Sequence, residues 1–162
     1  MSATSSIVLL RPDDARDTAA LHAACFSDHG RWSVKAMRET LTLPSTLALG
    51  AETGDGLSGL IIVQRAPPDA EILTIGVHPA KRRTGLAQEM LNHALTLLGP
   101  YGVDRLLLEV AADNKAGIAF YQRNRFQRDG VRKNYYRREG QQSCDAVLMS
   151  RKLAGQTGKS KA

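Results

Sequence analysis

The chain has 162 residues, with 22 Lys and Arg against 16 Asp and Glu and a formal net charge of +6. That length suits one domain able to bury a core, and the composition is that of a globular protein, neither disordered nor collagen-like. No apolar run approaches the roughly 20 residues of a transmembrane helix. Met1 to Ser6 lacks the basic and apolar regions of a signal peptide. Cys25 and Cys144 stand far apart with no C-x-x-C, which argues against a disulfide framework or metal site and predicts a cytoplasmic protein.

Ile7-Val8-Leu9-Leu10 reads as a first strand. Arg11-Pro12-Asp13-Asp14 then turns into a helix over Ala15 to Phe26, with acidic residues at its positive end. Cys25 reads there as a small buried hydrophobe. A loop from Asp28 to Ser33 follows, and Ser33 can cap a second helix over Val34 to Leu43, which stops before Pro44. Thr46 to Ala51 and Leu57 to Arg65 read as strands joined by Thr53-Gly54-Asp55-Gly56, with Gly59 marking a bulge or a close approach. A short loop, Ala66 to Ala70, leads to the next strand.

The stretch from Ile72 to Glu89 organises the rest. Ile72 to Val77 is an apolar strand that stops at His78-Pro79, because proline cannot donate to a ladder. The cationic loop Lys81-Arg82-Arg83-Thr84-Gly85 follows. A helix then carries Leu86, Met90, Leu91, Ala94, Leu95 and Leu98 at helical spacing. Strand, basic glycine-bearing loop and helix together aim free N–H groups and a positive helix end at an anion, most naturally a phosphate. Gly85 and Ala87 are small where a ligand would approach the backbone. The pattern is neither a P-loop nor a dinucleotide fingerprint.

Leu106 to Val110 is the next strand, expected parallel to the Ile72 strand as in a β-α-β unit. Asp113-Asn114 ends it and can cap a helix over Lys115 to Arg123. Tyr135-Tyr136 and Cys144 to Met149 read as closing strands, and 154–162 as a disordered basic tail beyond a domain of 1–153. Cations cluster from Arg123 to Arg138, opposed by Asp129 alone. That cluster suits a polyanion or a solvated basic face. No aromatic interleaving or known motif supports direct nucleic-acid binding.

Arg82-x-x-Gly85-x-Ala87 resembles the [Q/R]-x-x-G-x-[G/A] pyrophosphate loop of the GCN5-related N-acetyltransferases (GNAT), which bind acetyl-CoA. Leu108 to Asn114, Ala119 to Arg123, Phe126, Lys133 to Tyr136 and Asp145 to Met149 occur in the order of the ribosomal-protein alanine N-acetyltransferase (RimI-like) branch. The resemblance is strongest over 70–150. It implies an α/β fold, a single-domain mixed, V-splayed sheet of six or seven strands flanked by helices. It implies acetyl transfer from acetyl-CoA, as cosubstrate, to the N-terminal α-amine of a protein such as a ribosomal protein.

The roles follow the motifs. The resemblance implies that Arg82, Arg83, Thr84, Gly85, Leu86, Ala87 and Gln88 hold the cofactor phosphates. Ile75, Gly76 and Val77 would meet the pantetheine arm and acetyl carbonyl at the splay, and Asn114 the pantetheine chain. Glu109, a carboxylate in an apolar strand, would be the general base, and Tyr121 the general acid. Trp32, Tyr135 and Tyr136 would shape the acceptor slot. Bland readings stand beside these: Glu109 paired with an Arg, Tyr121 as core aromatic, Asn114 as helix cap and Trp32 as loop anchor.

One departure is visible. Where the family usually has Leu-Gly-Phe, this chain has Asn124-Arg125-Phe126. Arg125 therefore either adopts a left-handed conformation at roughly 1 kcal/mol or the helix ends differently. A small-molecule or lysine-side-chain amine is the alternative acceptor, and a non-catalytic acyl-CoA sensor the alternative class. No membrane partner is expected, and the chain should be a monomer or weak dimer.

Overall fold

A computed structural model describes residues 4–26, 30–136 and 143–153. The expected tail, 154–162, lies outside the described residues, as do Asp28, His29, Arg137 and Arg138. In chain order the elements are β1 (Ser6–Leu9), α1 (Ala15–Cys25), α2 (Val34–Thr42), β2 (Thr46–Thr53), β3 (Gly56–Ala66) and β4 (Asp69–Val77). Then follow α3 (Leu86–Leu98), β5 (Arg105–Ala111), α4 (Lys115–Arg123), β6 (Gln127–Tyr136) and β7 (Cys144–Lys152). The strands form one mixed seven-stranded sheet in the order β1-β2-β3-β4-β5-β7-β6. The chain folds as two compact units, Met1–Arg65 with Leu73–Leu98, and Ala66–Ile72 with Gly99–Ala162. The two halves of β4 thus belong to different units.

In the first unit β1, β2 and β3 run antiparallel, Ser6–Leu9 against Glu52–Leu49 and Thr46–Thr53 against Gln64–Gly56. A bulge at Ala51/Glu52 shifts the second register. Gly59, opposite Ala51, lies so close to α3 that a Cβ there would stand 2.9 Å from the Met90 terminal methyl. Both readings of Gly59 therefore hold at one place. The stripe Leu86, Met90, Leu91, Ala94 and Leu98 is the buried face of α3. On α1 and α2, Ala15, Ala19, Leu21, Met37 and Leu41 bury against Leu10, Ala48, Leu60 and Ile62. Ser33 caps α2 as expected, its Oγ accepting from the Ala36 N–H at 3.0 Å.

In the second unit β4 pairs in parallel with β5, Asp69, Ala70 and Glu71 against Arg105, Leu106 and Leu107. This short ladder is the pattern a V-splayed sheet gives. The strand begins at Asp69, three residues before the apolar run that marked it in the sequence. Its first rung is held by a two-pronged Arg105–Asp69 pair at 3.2 and 3.1 Å. β7 runs antiparallel to β5 along the full length of β5 and antiparallel to β6 on its other side. β6 is longer than expected, starting directly after Phe126.

The end of α4 resolves the departure seen in the sequence. Arg125 takes φ 67, in the left-handed region, where the family glycine would sit. The Phe126 N–H donates to the Tyr121 carbonyl at 3.0 Å and the Arg125 N–H to the Gln122 carbonyl at 3.1 Å. Those two bonds are a Schellman motif, and the Tyr121 and Phe126 rings meet edge-on at 5.5 Å as its apolar contact. Arg151 Nη1 donates to the Asn124 carbonyl, giving the negative helix end a cation. Replacing Arg125 with Gly should therefore raise unfolding free energy by roughly 1 kcal/mol, read from the denaturant midpoint. An unchanged or lowered midpoint would show that the left-handed turn carries no strain.

Candidate active site

In the first unit the predicted phosphate loop has the backbone that an anion site needs. Arg83 and Gly85 both take positive φ, 62° and 90°. The Glu89 N–H donates to the Gly85 carbonyl at 3.0 Å, so α3 is wound from Gly85 onward. The N–H groups of Leu86 and Ala87 come before that bond and have no carbonyl a turn behind them in the helix. A Cβ added at Gly85 would meet nothing within 4 Å, so the backbone here faces open space. The residues present fit a phosphate.

The loop cations are engaged within the protein. Arg82 Nε donates to the Val77 carbonyl and Nη2 to the Cys25 carbonyl, both at 3.3 Å. Lys81 pairs with Asp55. The side chain of Arg82 ties the loop to the ends of β4 and α1, while its backbone belongs to the loop.

Gly76 has a specific reason to be glycine. A Cβ there would stand 3.1 Å from Cys25 Cβ and Sγ and 3.2 Å from the Phe26 ring. The end of α1 thus lies directly on β4 at Gly76. One turn earlier, His22 is 2% exposed, and its Nε2 lies 3.2 Å from Thr74 Oγ1. Its ring stacks between Phe26, at 4.5 Å, and Trp32, at 5.4 Å. Trp32 also packs on the α1–α2 core, the loop-anchoring role. Burial pushes His22 below its ordinary range and Cys25 above its own. His22 was not singled out from the sequence, because nothing local distinguishes its helix position.

In the second unit the structure brings Glu109, Tyr136 and Tyr121 into one electrostatic neighbourhood. Tyr121 is 7% exposed, edge-on to Phe120 and Phe126. Burial first, and the nearby Tyr136 second, push its phenol above the ordinary range, so it stays protonated. Tyr136 is raised by burial and then by the Glu109 charge. It is aimed by a bulge. Arg132 pairs with Ala146 and Tyr136 with Cys144, so β6 spends more residues than β7 over that span. Asn134 takes φ 53 within it, and its N–H donates to Asp145 Oδ1 at 2.8 Å. Tyr135, which is exposed, meets Tyr136 edge-on at 5.2 Å.

Glu109 does have the arginine partner of its bland reading: Arg132 Nη2 lies 2.9 Å from Oε1. Asn114 likewise serves as a cap, its Oδ1 accepting from the Gly117 N–H at 3.0 Å. Gly117 permits this, since a Cβ there would fall 2.6 Å from Asn114 Nδ2. Glu71, on the β4 segment of this unit, is a further acidic group beside Glu109. It was missed because Asp69 to Glu71 carries no apolar signal.

Residues 15–126 match the Acetyltransferase (GNAT) family. The chain belongs to the GNAT acetyltransferase family. It is 36% identical over 142 residues to N-alpha-acetyltransferase RimI of Mycobacterium tuberculosis, covering 85% of this chain and 86% of that one. Its fold is similar to the crystal structure of the ribosomal-protein-S18-alanine N-acetyltransferase from Escherichia coli. That likeness has a TM-score of 0.88 and 25% identity, over 98% of this chain and 99% of that one. It is also similar in fold to Arabidopsis thaliana NAA60 solved with acetyl-CoA, TM-score 0.80 at 19% identity, over 94% of this chain and 100% of that one. The seven-stranded mixed sheet is thus a GNAT sheet, and among the described residues no helix is long and apolar enough to cross a membrane.

A pH dependence follows from His22. Its folded-state value lies below 6.5, so the unfolded chain binds the extra proton first as pH falls. His22 should cost no stability above that pH and cost progressively more as pH drops below it. Thermal melts of the unaltered chain and His22→Gln at pH 7.5 and 5.5 should show the larger loss in the unaltered chain. Equal losses would mean that His22 is charged in the fold.

Proposed function

We propose that this GNAT chain transfers acetyl from acetyl-CoA to the N-terminal α-amine of a protein, with a ribosomal protein as the favoured acceptor. The observation that carries the reading is that a buried, protonated phenol, Tyr121, and a carboxylate, Glu109, each lie close enough to Tyr136 to act on it electrostatically. The RimI relatives supply the acceptor class. The reading treats 1–153 as one catalytic domain, cytoplasmic and acting as a monomer or weak dimer.

Acetyl-CoA, when bound, supplies the acyl thioester. Gly85 and the N–H groups of Leu86 and Ala87 would receive its phosphates, and the β4 backbone at Ile75 and Val77 would meet its arm, with Gly76 letting the end of α1 pack on that strand. An ammonium has no lone pair, so the acceptor must lose a proton before it attacks. Glu109 takes that proton on a carboxylate oxygen, directly or through one water. Tyr121 Oη gives a proton to the departing sulfur. Both proton transfers are then accounted for by residues of this chain, and attack is direct, with no acyl-enzyme. Tyr135 and Tyr136 line the acceptor, and Asn114 both caps α4 and offers its amide to the arm.

Thiol release should be measured with acetyl-CoA and a panel of free α-amine peptides, lysine peptides and polyamines. We expect turnover confined to free α-amines, falling about 100-fold or more in Glu109→Gln and in Tyr121→Phe. Turnover of lysine peptides or polyamines instead would reassign the acceptor. Binding without any turnover would favour the acyl-CoA sensor. Gly85→Glu should abolish acetyl-CoA binding by setting an anion against the phosphates. Gly85→Ala carries the same backbone strain without the charge and should bind far better; equal affinity in the two variants would mean the loop is misassigned.

A further inference from the structure

The Arg132–Glu109 pair poses a chemical difficulty for a base. Once Glu109 takes a proton, Arg132 is left with a neutral partner. The cation then needs another carboxylate, or it must return to water.

The strand registers supply one. Glu71 on β4 is the partner of Leu107 on β5, and Glu109 lies two residues on, so both carboxylates leave the same side of the sheet. Ala111, two further along, pairs with Ala146 on β7, and Ala146 pairs with Arg132 on β6. Arg132 is therefore also on that side, and its own partner on the intervening β7 is the small Ala146. Its side chain is 54% exposed against 19% for Glu109, and its guanidinium lies over the Tyr135 ring at 4.8 Å. It can move along that surface without disturbing the core.

We propose that Glu71 is a positioning residue for the acetyl transfer: it shares Arg132 with Glu109 and takes the guanidinium when Glu109 accepts the acceptor's proton. This role rests on the proposed function. Its charge balance closes at each stage. Before transfer two carboxylates share one cation. After transfer Glu109 is neutral, and Arg132 and Glu71 form a neutral pair. The resting arrangement carries the matching strain: burial and the Glu109 charge push Glu71 up, and Arg132 offsets them. Glu71 does not touch the reacting atoms and acts through Arg132.

The test is a double-mutant cycle on kcat and KM for the acceptor, with a peptide that the unaltered chain turns over. Glu71→Gln should lower kcat about tenfold by leaving Arg132 fixed on Glu109, with KM for acetyl-CoA unchanged. Glu71→Asp should recover most of the loss. In an Arg132→Met background the same Glu71→Gln change should have little effect, because there is no guanidinium to hand over. Both positions are at the surface, and melting temperatures of all four chains confirm that they fold. Additive effects, or a silent Glu71→Gln, would overturn the role. So would a Glu71→Gln loss as severe as that of Glu109→Gln in both backgrounds, which would make Glu71 itself the base. No turnover by the unaltered chain would overturn the function and this role with it, whereas turnover with an additive cycle would overturn this role alone.

Discussion

Three rungs of parallel ladder, Asp69–Glu71 against Arg105–Leu107, set the register on which the placement of Glu109 beside Glu71 depends. Side chains alternate along a strand, so a slip of one residue would turn Glu109 to the opposite side of the sheet. It would then leave both Arg132 and Glu71. The ladder is short, and the sequence fixes it at the first rung by a two-pronged Arg105–Asp69 pair. From the other edge β7 pairs with β5 from Arg105 to Ala111, so the register of β5 is determined twice. An acidic residue in an apolar strand is costly unless it is partnered, and this register is the one that partners it.

The positive charge of the chain works differently from what the basic loop suggests. Lys81 is held by Asp55, and Arg82 by two carbonyls at the ends of β4 and α1. Their first contribution is to shape the loop. What remains for a phosphate is the backbone: a left-handed Arg83, a left-handed Gly85 and the N–H groups that open α3 at Leu86 and Ala87. Such amides are fixed dipoles that need no side-chain ordering when an anion arrives. Arg132, which the sequence placed in a possible polyanion-binding cluster, serves instead as an internal counter-ion to Glu109.

What was legible in the sequence was local. The caps Ser33 and Asn114, the apolar stripe of α3 and the glycine of the phosphate loop each state their role within about one helical turn. The strain at Arg125 was legible for the same reason, because the Schellman motif spans only Tyr121 to Phe126. The start of β4 was not, since Asp69, Ala70 and Glu71 are held in the sheet by pairing with residues far along the chain. The Arg132–Glu109 pair was offered only as a bland alternative, because it reaches across β7 between residues far apart in the chain. His22 was invisible for a related reason: its neighbours Thr74 and Trp32 come from a strand and a loop outside its own helix.

The same local motif that strains Arg125 also places Tyr121, the acid we propose. Tyr121 occupies the third-last helical position of α4, where its carbonyl accepts the Phe126 N–H and its ring meets the Phe126 ring. The end of the helix and the orientation of the phenol are therefore one structure. Burial around that ring keeps its proton in place, whereas Glu109 is partly exposed and paired with the Arg132 guanidinium. A left-handed arginine is tolerable at such a point because the alternative, a differently ended helix, would turn Tyr121 away from Tyr136. The strain at Arg125 is small beside the cost of misplacing a proton donor, since a displacement of about 1 Å can cost on the order of 100-fold in rate.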